Sequence, residues 1–357
     1  MAKEQNAVLL IYTGGTIGMM EDPATGALAP IDFAHLHDML PVLEQFDYGI
    51  QTLAFEPPID SSDMNPAIWA KLGSIIEREY DRFRGFVVLH GTDTMSYTAS
   101  ALSFMLQNLG KPVILTGSQL PIDKLRTDGK ENLVTAIEIA GAHKNGQPLV
   151  PEVCVYFENE LYRGNRTYKR SALHFNAFES PNYPVLARAG IEISYNYAYI
   201  HYPTTRKALV VHKRFCPDVV VLKIYPGITR ATVGTLLNVP GAKAVLLETF
   251  GSGNAPTEPW FVEEVAAAVR RGLVVLNVSQ CNEGGVDMGK YQTGIQLLKA
   301  GVVSAGDMTL SAAVTKLMFL LGKGLGYQGT VEALADSMAG EMTLPQAREM
   351  PTRLGGA

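Results

Sequence analysis

Val8-Leu9-Leu10-Ile11-Tyr12-Thr13-Gly14-Gly15-Thr16-Ile17-Gly18 is a short apolar run that stops at paired glycines. Val8 to Tyr12 is too short for a helix and abuts glycine, so it reads as a buried strand. Two adjacent glycines permit a sharp turn with positive φ. Such a turn holds Thr16 at the carboxyl end of the strand, where open α/β sheets bind ligands. A threonine hydroxyl presented there is a candidate nucleophile. The plainer reading is a phosphate-binding glycine loop, and the spacing opposes it. Gly14 and Gly15 are adjacent and Gly18 follows, so neither GxGxxG nor GxxxxGK[ST] is matched.

The chain has 357 residues, enough for about two domains. Hydrophobic residues make up 47% and charged residues 18%, which supplies ample core material. The net charge of -5 gives no general attraction to nucleic acid or anionic membrane. Cys154, Cys216 and Cys281 are an odd, scattered set, which opposes a disulfide framework and fits a reducing compartment. Apolar runs fall short of a membrane span. The opening MAKEQNAVLLIY lacks the longer apolar region and small-residue cleavage site of a secretory signal. The expectation is therefore a cytoplasmic protein, in which the sequons at Asn165 and Asn277 are idle.

Beyond Gly18, MMEDPATGALAP (residues 19–30) reads as a mobile loop, either a lid over the strand end or an ordinary surface loop. Asp60-Ser61-Ser62-Asp63 precedes Asn65-Pro66, a cap and first turn for a helix with Ile68, Leu72, Ile75, Ile76 and Tyr80 on one stripe. The cluster either caps that helix or binds an anion at its amino end. Strands are expected at 86–90, 113–116 and 153–157, with helices at 96–109 and 128–144. Thr92-Asp93 and Ser118 thus occupy strand ends like that of Thr16. The loop Tyr162-Arg163-Gly164-Asn165-Arg166-Thr167-Tyr168-Lys169-Arg170 reads as a site loop with one chemical cation and ion-paired arginines; a nucleic-acid patch is the lesser reading, since no second basic run supports it.

Periodicity fades between residues 190 and 217, which places a domain boundary there. The expected organisation is an amino-terminal α/β domain over 1–195, a linker over 196–217 and a smaller α/β domain over 218–357. The second domain has strands at 219–225, 244–248 and 273–278 and helices at 229–237, 258–271 and 309–321. Cys281, at one of its strand ends, reads as a buried or ligand-lining cysteine rather than a reactive thiol.

The strand ends of the first domain collect Thr16, Ser61, Thr92, Asp93, Ser118 and Lys169, with no metal-ligand cluster. A hydroxyl nucleophile needs a base. His90 falls inside a strand and reads as a packed core residue, which leaves Lys169. A lysine accepts a proton at neutral pH only where burial or neighbours favour its neutral form. Backbone N–H groups of the glycine turn or of Thr92 are candidate oxyanion donors. The chemistry points to acyl transfer through threonine.

TGGTIG (13–18) and HGTDTM (90–95) resemble the paired signature motifs of the bacterial-type L-asparaginases. The resemblance extends to DSSDM (60–64), TGSQLP (116–121), YRGNRTYK (162–169), GSGNAP (251–256) and YQTGIQLLKAGVVSAGDMT (291–309), and is nearest to the cytoplasmic type I branch. It implies a two-domain asparaginase-like α/β fold and hydrolysis of L-asparagine to L-aspartate and ammonia. Thr16 is implied as nucleophile. Thr92 and Lys169 would relay protons, with Asp93 also holding the substrate α-amino group and Ser61 the α-carboxylate. Asp60, Ser61, Ser62, Thr92, Asp93, Ser118 and Asn254 would line the substrate site. The resemblance further implies a homodimer, often paired into a tetramer, whose carboxy-terminal domain closes a neighbouring subunit's site. No metal or organic cofactor is implied.

Two departures from the family pattern stand out. Many members carry an assisting tyrosine in the loop after the first turn, whereas here residues 13–47 contain none and Ala27 or Leu28 takes the place. Tyr291 matches the tyrosine that mammalian type I relatives use, and is the expected activator of Thr16. Some type I enzymes also bind a second asparagine near the position of Cys281. The arginine and threonine of that pocket are Glu248 and Tyr168 here, and Glu248 would repel a carboxylate, so hyperbolic kinetics are expected. The competing readings are the asparaginase-like subunit of a tRNA-dependent amidotransferase, which carries an extra amino-terminal domain, and a non-catalytic amino-acid-binding protein.

Overall fold

The computed structural model describes residues 6–21, 28–30, 40–203, 207–289 and 291–344. The chain divides between Lys213 and Arg214 into two compact units. The first is built on an eight-stranded sheet formed by β1 (Ala7–Tyr12), β2 (Gly49–Ala54), β3 (Gly85–Leu89), β4 (Val113–Thr116), β5 (Val153–Phe157), β6 (Glu160–Arg163), β7 (Ala187–Ala189) and β8 (Ile193–Tyr195). The spatial order is β8-β7-β6-β5-β4-β3-β1-β2. The five strands from β5 to β2 run parallel, and the other three pair antiparallel. β1, β3, β4 and β5 are buried along their whole length, as expected of parallel strands covered on both faces. β2, at the edge, is mostly exposed.

The helix that follows β2 starts where local chemistry dictates. α1 (Pro66–Glu79) begins at Pro66, with Asn65 Oδ1 accepting from Ala67 N at 3.0 Å and Ile68 N at 3.3 Å. It buries Trp69, Leu72, Ile75 and Ile76; Ile68 and Tyr80, expected on the same stripe, are only half-buried. α2 (Met95–Met105) is shorter than the expected 96–109. Leu106–Gln107 leaves the helix to pair with Val210–Val211, and Asn108 takes a left-handed φ of 63°. α3 (Gly129–Gly141) stops three residues before Lys144. His143–Lys144 turns back onto Gln147–Pro148 through Asn145-Gly146, both at positive φ, the usual chemistry of a tight hairpin. Leu133, Ile137 and Ala140 are fully enclosed, as the spacing predicts. In the 19–30 stretch, read as a loop, Met19–Glu21 pairs antiparallel with Leu28–Pro30; Ala27 lies outside the described residues.

The second unit carries four parallel strands in sequence order: β9 (Val219–Lys223), β10 (Ala244–Thr249), β11 (Val274–Ser279) and β12 (Val303–Ser304). Helices α4 (Arg230–Leu237), α5 (Pro259–Arg270), α6 (Gln292–Lys299), α7 (Leu310–Gly322) and α8 (Gly326–Ala335) complete it. Leu222, Val233, Leu247, Phe261, Val265 and Val275 form its core. Thr229 and Thr309 cap α4 and α7 from just outside, so each helix starts one residue later than the periodicity alone suggests. Within this unit Lys316 and Glu341 form a fully buried ion pair at 2.7 Å.

Candidate active site

The strand order places β2, β1, β3, β4 and β5 side by side, so the chain steps outward from β1 to β2 and then returns past β1 to β3, reversing direction along the sheet. Ligands of open α/β sheets bind at the carboxyl ends beside such a reversal. Thr16 follows β1, Ser61 follows β2, Thr92 and Asp93 follow β3, and Ser118 follows β4. All five sit along that one edge.

Three glycines let these turns close on one another. A Cβ on Gly14 would lie 2.0 Å from Ile59 O, one on Gly15 2.5 Å from Gly91 N, and one on Gly91 2.5 Å from Ser61 Oγ. Gly15 also has φ +97°, which disfavours any side chain. The turns are tied by hydrogen bonds. Thr13 Oγ1 donates to Leu89 O at 2.8 Å, Ile59 N to Thr13 O at 2.8 Å, and Thr94 Oγ1 to Ser61 O at 2.7 Å. Tyr12, enclosed at the end of β1, donates its hydroxyl to Gly18 O at 3.2 Å, and burial pushes that phenol up to about 12.

Lys169 reaches this edge from the hairpin Tyr168–Lys169 with Phe178–Glu179. Its Nζ donates to Thr92 Oγ1 at 2.7 Å and to Asp93 Oδ1 at 2.8 Å. The lysine side chain is 15% exposed and the Asp93 side chain 68%, so the aspartate faces solvent while the lysine and Thr92 are enclosed. Thr92 Oγ1 in turn donates to Gln119 Oε1 at 3.3 Å. With its proton turned to Gln119, the Thr92 oxygen offers lone pairs to Lys169. Gln119 is absent from the residues picked out by sequence. Its signal was only its place in TGSQLP beside Ser118, because a neutral amide attracts no acid–base argument.

His90 is a packed residue, as expected. Its Nδ1 donates to Gly91 O at 2.7 Å, and its Nε2 accepts from Thr98 Oγ1 at 2.8 Å. Burial lowers the imidazole to about 4, so it is neutral and cannot serve as the base. The arginines of the basic run are engaged locally. Arg163 pairs with buried Glu152 at 2.6 Å, Arg166 lies over the Tyr183 ring, and Arg170 is 3.5 Å from Glu179.

Of the remaining residues picked out by sequence, Ser61 is buried, and Asp60 accepts from Ser62 N at 2.8 Å. Ser118, 2% exposed, turns its hydroxyl back to Leu120 O. Asn254 and Tyr291 belong to the second unit. Asn254 closes a turn with Phe250 by backbone bonds of 2.8 and 2.9 Å, and Tyr291 stands half-exposed at the start of α6. Cys281, expected to be buried or ligand-lining, is not buried: it is exposed in the turn two residues beyond β11. Among the described residues no cluster of histidine, cysteine and carboxylate side chains is placed to hold a metal ion. Nor is any described helix long and apolar enough to cross a membrane.

The first unit thus sets a hydroxyl-bearing glycine turn beside a Thr–Lys–Asp cluster, with the nearby His90 buried and neutral. The family profile "Asparaginase, N-terminal" matches residues 7–201, and "Glutaminase/Asparaginase C-terminal domain" matches residues 218–334. The chain belongs to the asparaginase family, with that family's larger amino-terminal and smaller carboxy-terminal α/β domains. It is 42% identical to L-asparaginase 1 of Escherichia coli K12 over 346 residues, which cover 95% of this chain and 99% of that protein. It is 43% identical to the 60 kDa lysophospholipase of Mus musculus over 363 residues, 96% of this chain. The match spans only 63% of that longer mouse protein and 64% of its human counterpart. The crystal structure of L-asparaginase I from Vibrio cholerae superposes with a TM-score of 0.86 at 39% identity, covering 95% of this chain and all of that one.

Proposed function

We propose that the protein hydrolyses L-asparagine to L-aspartate and ammonia through an acyl-threonine intermediate. The observation that carries this reading is Lys169 Nζ at 2.7 Å from Thr92 Oγ1 and 2.8 Å from Asp93 Oδ1, beside the turn that presents Thr16. Near-full-length similarity to L-asparaginases supports it. Thr16 Oγ attacks the side-chain amide carbon, and its proton passes to the leaving nitrogen. The C–N bond breaks, ammonia departs, and an ester joins aspartate to Thr16. A water molecule, activated through Thr92 and Lys169, then cleaves the ester. Backbone N–H groups of the Gly14–Gly15 turn or of Thr92 hold the developing oxyanion. Ser61, with Asp60 and Ser62 beside it, receives the α-carboxylate, and Asp93 the α-amino group. Ser118 and Asn254 complete the pocket.

Tyr291 is assigned the role of activating Thr16, since residues 13–47 offer no tyrosine. The active form is a cytoplasmic homodimer or dimer of dimers in which the carboxy-terminal unit of one copy closes the site of another. The test is ammonia release from L-asparagine by wild type, Thr16→Ala and Tyr291→Phe, with mass spectrometry of acid-quenched turnover. The expected result is ammonia from the wild type and an aspartyl ester on Thr16. Thr16→Ala loses both, and Tyr291→Phe slows ester formation by roughly 10²- to 10⁴-fold. An ester on another side chain, or a Tyr291→Phe protein with normal turnover, overturns the corresponding assignment.

A further inference from the structure

The turn Gly117-Ser118-Gln119-Leu120 leaves β4 without a partner strand, yet it carries the amide that orients Thr92. What holds it lies outside the pocket, on the first turn of α3. The Asp128 carboxylate accepts from Gln119 N at 2.9 and 3.1 Å and from Leu120 N at 3.2 Å. One helical turn on, Asn132 is 2% exposed and uses both ends of its amide. Nδ2 donates to Gly117 O at 3.0 Å and to Asp128 Oδ2 at 3.4 Å, while Oδ1 accepts from Glu158 N at 3.0 Å. Asn132 therefore bridges the carboxyl ends of β4 and β5 and steadies the carboxylate that grips the turn.

Asp128 breaks a local rule in doing so. It stands at the cap position of α3, where aspartate ordinarily accepts from its own helix, but makes no capping bond. Thr127 Oγ1 accepts from Gly129 N at 2.9 Å in its place. A residue diverted from its local preference marks a functional demand on the site it serves. Charge reinforces the grip, since a carboxylate accepting N–H bonds is about twice as strong an acceptor as a neutral group.

We propose that Asp128 and Asn132 are positioning residues of the reaction centre. They clamp the 117–120 turn so that Gln119 Oε1 accepts the hydrogen bond from the Thr92 hydroxyl while the Thr92 oxygen accepts from Lys169 Nζ. The proposal rests on the amidohydrolase reading given above. A misplacement of about 1 Å in such a chain costs on the order of 10²-fold in rate.

The experiment measures kcat and KM for L-asparagine in Asp128→Ala, Asp128→Asn, Asn132→Ala, Gln119→Ala and the Asp128→Ala/Gln119→Ala pair, alongside amide hydrogen exchange of residues 113–122. Asp128→Ala is expected to lose roughly 10²-fold in kcat with KM within about threefold of wild type. Asp128→Asn, which keeps one acceptor oxygen, restores most of that loss. The double variant falls no further than the worse single one, because both act through one hydroxyl. The Gln119 and Leu120 amides exchange at least roughly tenfold faster in Asp128→Ala, while those of β1 are unchanged. Losses that multiply in the double variant, an unchanged kcat, or amides that stay protected overturn the proposal. A wild type that releases no ammonia overturns the amidohydrolase reading instead, and the exchange measurement still decides whether the clamp exists.

Discussion

His90 is one residue from the turn that carries Thr92, and it is fully enclosed and neutral. Trp69 Nε1 donates to Thr98 Oγ1 at 3.0 Å, Thr98 donates to His90 Nε2, and His90 Nδ1 donates to Gly91 O. The chain of donors fixes the tautomer and pins the Gly91 carbonyl. Its stability has a defined pH dependence. The unfolded imidazole titrates near 6.5 and the folded one at about 4. As pH falls through 6.5 the unfolded chain gains a proton that the folded chain refuses, so stability drops until pH reaches about 4 and then levels off. The contribution is roughly 3 kcal/mol in all. Urea titrations at pH 7, 5.5 and 4.5 are expected to show this loss in the wild type and its absence in His90→Asn. A parallel loss in both proteins assigns the effect to other groups. At this scale the sequence was informative where residue type is restrictive. Paired glycines beside a threonine, and HGTD after a strand, pointed to Thr16, Thr92 and Asp93. Gln119 and Asp128 escaped, because an amide and a helix-capping aspartate each have an ordinary local explanation.

Elements were legible where their ends are chemically marked. The Asn65-Pro66 pair specifies the start of α1, and the two N–H groups on Asn65 Oδ1 are the reason. Asn65→Ala is expected to cost about 1 kcal/mol in urea unfolding. Because α1 follows the turn that holds Ser61, the same substitution should raise KM for L-asparagine more than it lowers kcat. An unchanged midpoint would remove the cap from the account of why the helix begins there. Elements without such marks were missed or misjudged. β6, β7 and β8 have four residues or fewer and draw their pairing from one another, which no local pattern encodes. α2 ends early because Val210–Val211, about a hundred residues away in sequence, competes for Leu106–Gln107.

At the scale of the molecule, each unit has a hydrophobic core of its own. In the second unit the buried Lys316–Glu341 pair ties α7 to the segment after α8. Lys316 Nζ also donates to Leu334 O at 3.1 Å and to Asp336 O at 2.5 Å. Burial pushes the Glu341 carboxyl up, but the Lys316 ammonium and the Met338 and Ala339 N–H groups outweigh it and hold it below the ordinary carboxylate range. Its contribution is therefore complete above the unfolded carboxylate value and is lost as pH falls through the lower folded one. Lys316→Met strands a buried carboxylate and is expected to cost roughly 3–5 kcal/mol at neutral pH. The deficit relative to wild type should narrow in acid, as Glu341 protonates. A variant as stable as wild type at pH 7 would show that the pair contributes nothing net.

Local chemistry alone supplied the alternation of strands and helices, the turn that presents Thr16, and the set of hydroxyls and one lysine to choose among. These follow from periods of 2 and 3.6 residues, from caps and from glycine, all of which act over a few positions. Only the tertiary structure decided that Lys169 meets Thr92 and Asp93 across more than seventy residues, that the sheet reverses its order at β1, and that Asp128 serves a turn rather than its own helix. Those outcomes depend on which strands lie side by side. That ordering is a global compromise between burial and chain connection, and no short stretch of the chain carries it.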